Sequence, residues 1–269
     1  MLDFAKYLPD GILVGSPISL SDCRILRPYL LERVGIFEGS VIMLAVPYAV
    51  PCEHRTVSMY AVAKDYHAYF SALFDSVLSA LRTDYPMHVF AGFADHSPIA
   101  EVEAACKAGL GVMGSNGLLL TQAHSSYVFL GEIMTSMPIK SSALPITHCP
   151  DCGACRRACP TGLCKQVCLS DLTQKKGTLD AQQTALLQAH PYIWGCDICQ
   201  DACPYTAAAM RAGTLYTTIP YFTQHLIPSP DLATLQNMSD EEFAHRAYAW
   251  RGRDTICRNI RIKEERTRQ

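Results

Sequence analysis

The chain has 269 residues, 49% of them hydrophobic and 18% charged, with a formal net charge of −2. That much apolar material suits one large domain with an insert or two unequal domains, and it excludes a disordered chain. The near-neutral charge excludes nonspecific nucleic-acid binding over the whole surface while leaving room for a local basic patch, and no apolar run approaches the ~20 residues of a bilayer span.

The N-terminal stretch Met1 to Pro9 has no apolar core long enough for a secretory signal, so a cytoplasmic location with reduced thiols and no membrane partner is expected. Residues 11 to 19 and 41 to 50 are short apolar runs bounded by Gly and Pro, which predicts strands. From Val57 to about Leu81 the period lengthens, with Tyr66, Tyr69, Phe70, Leu73, Val77 and Leu81 forming one face of an amphipathic helix. His88 to Ala94 reads as a strand, followed by a helix that Ser97 caps and Pro98 opens and that ends at Gly109. Gly117 to Gln122 and Tyr127 to Met134 add two strands. Strand and helix alternating to about residue 145 predict an α/β sheet domain within an α+β or α/β fold.

Further on, 178 to 190 reads as a helix, and Ser239 with Glu242 forms a capping box that opens a final helix. The C-terminal end is basic, with Arg251, Arg253, Arg258, Arg261, Lys263, Arg266 and Arg268. Such a tail is either a solvated, frayed end or a phosphate contact.

Nine of the thirteen cysteines fall between Cys149 and Cys203. Cys149, Cys152, Cys155 and Cys159 form a C-x2-C-x2-C-x3-C run followed by Pro160, and a second run places Cys196, Cys199 and Cys203 before Pro204. This spacing belongs to paired 4Fe-4S clusters with crossed ligation, in which the fourth cysteine of a run serves the other cluster. One cluster is expected to take Cys149, Cys152, Cys155 and Cys203; the other takes Cys159, Cys196 and Cys199 with either Cys164 or Cys168, which spacing leaves open. Zinc would leave the third and fourth cysteines of the first run surplus, and disulfides would need an oxidising compartment. Cys23, Cys52, Cys106 and Cys257 read as small buried hydrophobes.

Clusters in series carry electrons singly, so the sheet domain must hold what they feed. Asp95, at the end of a predicted strand, stands where ligands gather in α/β sheets and is a general-acid candidate; the simpler reading is a helix cap beside Ser97. Asp65, Tyr66 and His67 put three polar groups in one helical turn, with a surface or satisfied histidine as the simpler reading. The glycine-rich stretch Gly109 to Asn116 follows a helix, which excludes a dinucleotide or P-loop reading and leaves a close approach to a flat cofactor or an ordinary turn.

Taken together, the chain resembles the epoxyqueuosine reductase family. The resemblance rests on Ser58-Met-Tyr60-Ala with Asp65-Tyr66-His67, Asp95-His-Ser-Pro98-Ile with Glu101, and Ala108-Gly-Leu-Gly111 with Gly114 and Asn116. It extends through Leu130-Gly131-Glu132-Ile, both cysteine runs and Cys168-Leu-Ser170-Asp-Leu-Thr173. Val102 and Ser115 stand where the family usually has Arg and Lys, and the chain is expected to be a short form without the helical-repeat domain that helps relatives grip tRNA.

The resemblance implies a cobalamin-binding α/β domain similar to that of reductive dehalogenases over residues 1 to 145, and a ferredoxin-like double-cluster module over 146 to 210. Loops and a helix packing back are expected over 211 to 269. It assigns the open cluster ligand to Cys168 and the proton donor to Asp95. Cobalamin contacts are implied at Ser58, Tyr60, His67, Asp95, Leu119, Leu130, Ser170, Cys196 and Asp197, and a tRNA contact at Lys175. The implied activity is reduction of epoxyqueuosine to queuosine in tRNA, with electrons from an external low-potential donor passing through both clusters to cobalamin. Burial beside the cofactor is expected to raise the Asp95 pKa so that it donates near neutrality. Two other readings are a cobalamin-dependent reductase of a small epoxide or halide and a noncatalytic double-cluster electron carrier.

Overall fold

The structure is a computed structural model that describes residues 4–267; the first residues of the N-terminal stretch and Arg268 of the basic tail lie outside the described residues. The chain forms two compact units, each assembled from separate stretches. The first takes Met1–Tyr48, His67–Cys152 and Tyr205–Ile219, and the second takes Ala49–Tyr66, Gly153–Pro204 and Pro220–Gln269.

The strands are β1 (Leu13–Val14), β2 (Ile18–Ser19), β3 (Ser40–Pro47), β4 (Phe90–Phe93), β5 (Val112–Met113), β6 (Leu119–Leu120) and β7 (Val128–Thr135). Helices α1 (Pro28–Val34), α2 (Tyr66–Asp84) and α3 (Glu101–Lys107) complete the main body of the first unit. Its sheet runs β1-β3-β7-β4, with β2 also paired to β3. Every pairing is antiparallel, including the long β3–β7 ladder from Ser40↔Thr135 to Pro47↔Val128. The alternation of strands and helices therefore builds an antiparallel sheet, so the parallel-sheet argument that placed a ligand near Asp95 does not apply.

All eight residues of β3 are buried, as its unbroken apolar run requires when both faces of the sheet are covered. On one face Val41, Met43 and Ala45 pack with Ala104, Ala105 and Cys106 of α3. On the other, α2 comes close enough that its phenylalanines meet glycines. A Cβ built on Gly92 would lie 2.4 Å from the Phe74 ring, and one on Gly131 would lie 2.5 Å from Phe70.

Three expected boundaries move. The helix expected from Val57 starts only at Tyr66. The run 11–19 breaks into β1 and β2. Ser97 does not cap α3, whose N-cap is Ala100; its hydroxyl oxygen instead accepts from the Ile99 N–H at 3.1 Å.

In the second unit the helices are α4 (Ala154–Ala158), α5 (Leu169–Gln174), α6 (Ala181–Ala189) and α7 (Ile198–Asp201), with α8 (Pro204–Arg211) lying almost wholly in the first unit's share of the chain. They continue as α9 (Pro220–Thr223), α10 (Leu232–Asn237), α11 (Asp240–Ala244) and α12 (Arg253–Thr267). Leu169, Leu172 and Leu187 form a small core with Ile262 of α12 against it. The buried Asn259 ties α12 down, donating to the carbonyls of Thr173 at 2.7 Å and Ile193 at 2.8 Å. Ser239 and Glu242 form the expected capping box at α11. No described helix is long and apolar enough to cross a membrane.

Candidate functional site

Asp95 follows β4 with φ of +64°, a left-handed conformation that few residues other than Gly, Asn and Asp adopt. Its side chain is 64% exposed, and its Oδ2 lies 3.4 Å from Nε2 of His67 near the start of α2. The hydrogen bond to His67 outweighs burial and, with the charges of His96 and Arg27, holds the Asp95 carboxyl below its ordinary value. Here the carboxylate points toward His67 and solvent and not into an apolar pocket. The loop is pinned by Arg27, whose Nη1 donates to the Ser97 carbonyl at 2.7 Å, and by the 2.8 Å contact between the Tyr29 hydroxyl and Nε2 of His96.

Behind this loop lie two more carboxyls, Glu101 at the start of α3 and Glu132 in the middle of β7. Burial, and then the Asp95 charge, push Glu101 up to about 7, against a hydrogen bond from the Asp95 backbone N–H and the Arg27 charge. Glu132 is completely buried. Burial, and then the Glu101 charge, raise it well above its ordinary value although the Ser97 hydroxyl donates to its Oε1 at 2.5 Å. Neither Oε1 of Glu101 nor Oε2 of Glu132 has a hydrogen-bond partner. The sequence signal for this pair was a lone carboxylate inside an otherwise apolar and hydroxyl-bearing strand.

The cysteine segment folds as α4, a loop, α5, and then α6 leading to α7. The Cys196 thiol is raised to about 12 by burial, then by Asp197 and by the nearby Cys199 and Cys168. Cys168 is therefore within electrostatic reach of Cys196, whereas the Cys164 thiol donates to Oε1 of Gln166 at 3.1 Å. Cys149 and Cys159 resist ionisation through burial, yet hydrogen bonds lower both: Ser115 and Asp151 act on Cys149, and Thr161, Gly162 and Leu163 on Cys159. The Ser115 N–H lies 3.3 Å from Sγ of Cys149, and its hydroxyl contacts the same sulfur at 3.2 Å. N–H groups aimed at sulfur suit a thiolate that ligates an iron–sulfur cluster. No cysteine is disulfide-bonded among the described residues, and no three His, Cys, Asp or Glu side chains among them converge as one metal ion requires.

Other matched positions divide sharply. Ser58 and Asp197 are buried and satisfied internally, with the Ser58 hydroxyl donating to Oδ1 of Asp197 at 2.5 Å. Asp197 also receives the Met59 N–H at 2.6 Å, the Gln200 amide at 2.8 Å and the Arg55 guanidinium at 3.2 Å. Gly195, at φ of +66°, leaves room for Ser58 and Tyr60, whose atoms a Cβ would meet at 2.4 and 3.0 Å. Leu119 is buried in β6 and Leu130 half-buried in β7. The Ser170 hydroxyl accepts from Gln174 at 3.3 Å. The Asp95 and His67 side chains are more than half exposed, at 64% and 53%. The glycine-rich turn is accounted for by the β5–β6 hairpin, since a Cβ on Gly111 would sit 2.3 Å from the Leu120 carbonyl oxygen.

Lys175 is exposed and its Nζ donates to Gln183 at 3.0 Å. The basic tail is not frayed over its described length. It forms α12, in which Arg258 donates to the Lys175 and Gly177 carbonyls and Lys263 to the Leu187 carbonyl. Val102 is partly buried against the α3 core, where a cation would be desolvated.

No family model matches the sequence. The chain is 31% identical over 270 residues to the epoxyqueuosine reductase of Listeria monocytogenes, an alignment that covers 88% of this chain and 68% of that protein. It is 32% identical over 223 residues to the Pseudomonas aeruginosa epoxyqueuosine reductase, covering 80% of this chain and 60% of that one. Among solved structures, an epoxyqueuosine reductase bound to an epoxyqueuosine-modified tRNA-Tyr stem loop superposes with a TM-score of 0.75. That match has 24% identity and covers 97% of this chain and 78% of the other, which establishes a shared mixed α/β fold.

Proposed function

The chain belongs to the epoxyqueuosine reductase family, and from that premise we propose that it reduces epoxyqueuosine to queuosine in tRNA, with Asp95 as proton donor and His67 as its positioning partner. In this reading Cys149, Cys152, Cys155 and Cys203 hold one 4Fe-4S cluster and Cys159, Cys168, Cys196 and Cys199 the other. The charge reach among Cys168, Cys196 and Cys199 supports the second set. Cobalamin, when bound, supplies reducing power to the substrate carbon, and an external low-potential donor feeds the clusters.

The observation that carries the reading is the Asp95–His67 pair at 3.4 Å on a left-handed loop. An epoxide oxygen leaves readily only if it is protonated as its bond to carbon breaks, so a carboxyl at hydrogen-bond reach of that oxygen is the required group. His67, with Nε2 3.4 Å from Oδ2, holds the Asp95 carboxyl in place. Lys175 and the exposed arginines offer phosphate contacts to an RNA, which would make binding weaken steeply with salt.

The test compares wild type with Asp95→Asn after anaerobic reconstitution. The variant is expected to keep its iron and bind cobalamin while turnover falls by ~10^2–10^4-fold, the usual contribution of a positioned acid. Unchanged turnover removes Asp95 from the chemistry, and an intact enzyme that leaves epoxyqueuosine in tRNA untouched removes the substrate assignment.

A further inference from the structure

Deoxygenating an epoxide breaks both carbon–oxygen bonds, forms a carbon–carbon double bond and releases the oxygen as water. Two electrons and two protons are consumed per turnover. The electrons come from the external donor of the proposed reaction. Asp95 and His67 face solvent and hand over one proton at a time; the protein also carries a second acidic group that the mechanism above leaves unused. We propose that Glu101 and Glu132 hold one proton between them and form an internal proton reserve behind the Asp95 loop. The inference rests on the proposed reduction for its role and on the fold alone for its chemistry.

Glu132 projects from β7 onto the face of the sheet covered by α3, among Leu130, Met134, Val41 and Met43. Its register partners are Met43 on β3 and Phe93 on β4, so neither flanking strand offers it a charge at that level. The groups that act on it are Glu101 from α3 and the Ser97 hydroxyl from the loop, with the Cys23 thiol also within reach of its charge. Glu101 in turn feels Asp95 and Arg27. Arg27 is a cation acting on Glu101, and its guanidinium is engaged by the Ser97 carbonyl. Glu132 is fully buried, Oε1 of Glu101 is closed off from solvent, and neither that atom nor Oε2 of Glu132 has a hydrogen-bond partner, so with this little compensation the two do not both stay ionised and the proton they keep occupies those oxygens. The direction in which both groups are shifted agrees with that sharing. Because the Ser97 hydroxyl, two residues after Asp95, donates to Oε1 of Glu132 at 2.5 Å, the reserve abuts the loop that carries the donor.

The test reads protonated carboxyls directly. Infrared difference spectra of the reconstituted full chain, recorded in H2O and D2O between about pH 5 and 9, should contain a deuterium-sensitive carboxylic C=O band that survives at about pH 8, far above an ordinary carboxyl. Glu132→Gln should abolish it, and Glu101→Gln should remove the step that titrates near neutrality. Should Glu132→Gln fail to fold, Ser97→Ala, which deletes the hydroxyl bound to Glu132, should shift the band instead. With substrate, Glu101→Gln should lower kcat above about pH 7 at unchanged KM, with the normal rate restored by Glu101→Asp. Absence of any protonated carboxyl above about pH 6, or a band indifferent to all three substitutions, overturns the reserve. If Asp95→Asn stays active while the band behaves as described, the reserve stands and the donor assignment falls.

Discussion

Asp197→Ala gives the sharpest test of what holds the second unit together. The carboxylate, which lies between Cys196 and Cys199 in the sequence, is fully buried and gathers four donors from Arg55, Ser58, Met59 and Gln200. Removing it strands the buried Ser58 hydroxyl and Met59 N–H, each at ~1–3 kcal/mol for an unsatisfied buried group. Arg55 keeps a partner, since Asp201 lies 2.8 Å away, so the larger penalty for an abandoned buried cation is avoided. Some of the cost is returned because Asp197 itself is penalised by burial, which raises its pKa. The net expectation is a loss of about 3 kcal/mol, read as a lower urea midpoint at unchanged slope. Asp197→Asn keeps an oxygen for Ser58 and should cost about half as much. If Cys196 and Cys199 ligate a cluster as proposed, iron content should fall in step with stability. A loss under about 0.5 kcal/mol for Ala, or equal losses for Asn and Ala, would refute the reasoning.

Two more outcomes follow from the packing and the buried charges. Gly131→Ala places a Cβ 2.5 Å from the Phe70 ring, and the displaced helix should cost ~1–3 kcal/mol in a thermal melt. Phe70→Leu in the same chain should recover part of that loss, and strict additivity would argue against the clash. His190, buried with its Nδ1 accepting the Tyr192 N–H at 3.0 Å, is held down to about 4 by burial and then by Lys263. Its folded value lies below the unfolded one near 6.5, so the unfolded chain binds more protons in that window. Stability should fall as pH drops from about 6.5 to 4, by up to about 3 kcal/mol. His190→Gln should flatten that part of the stability profile measured in urea, and an unchanged slope would contradict it.

The sequence by itself carries the cysteine spacing on which the proposed cluster ligation rests, because that spacing is a local property of the chain. It also marked the strands of long apolar runs, such as β3, and the helix start at Ser239, where side chain and backbone lie three residues apart. Only the tertiary structure decided how those pieces pair. Antiparallel pairing of β3 with β7 joins residues about ninety apart, and nothing in a local period distinguishes that ladder from a parallel one. The same holds for charge. Asp95 is lowered because the fold brings His67 beside it, while Glu101 and Glu132 are raised first by burial and then by the charges of Asp95 and Glu101 respectively. A pKa depends on what surrounds a group in space, and for these three carboxyls the decisive neighbours lie from 6 to 35 residues away along the chain or come from burial itself.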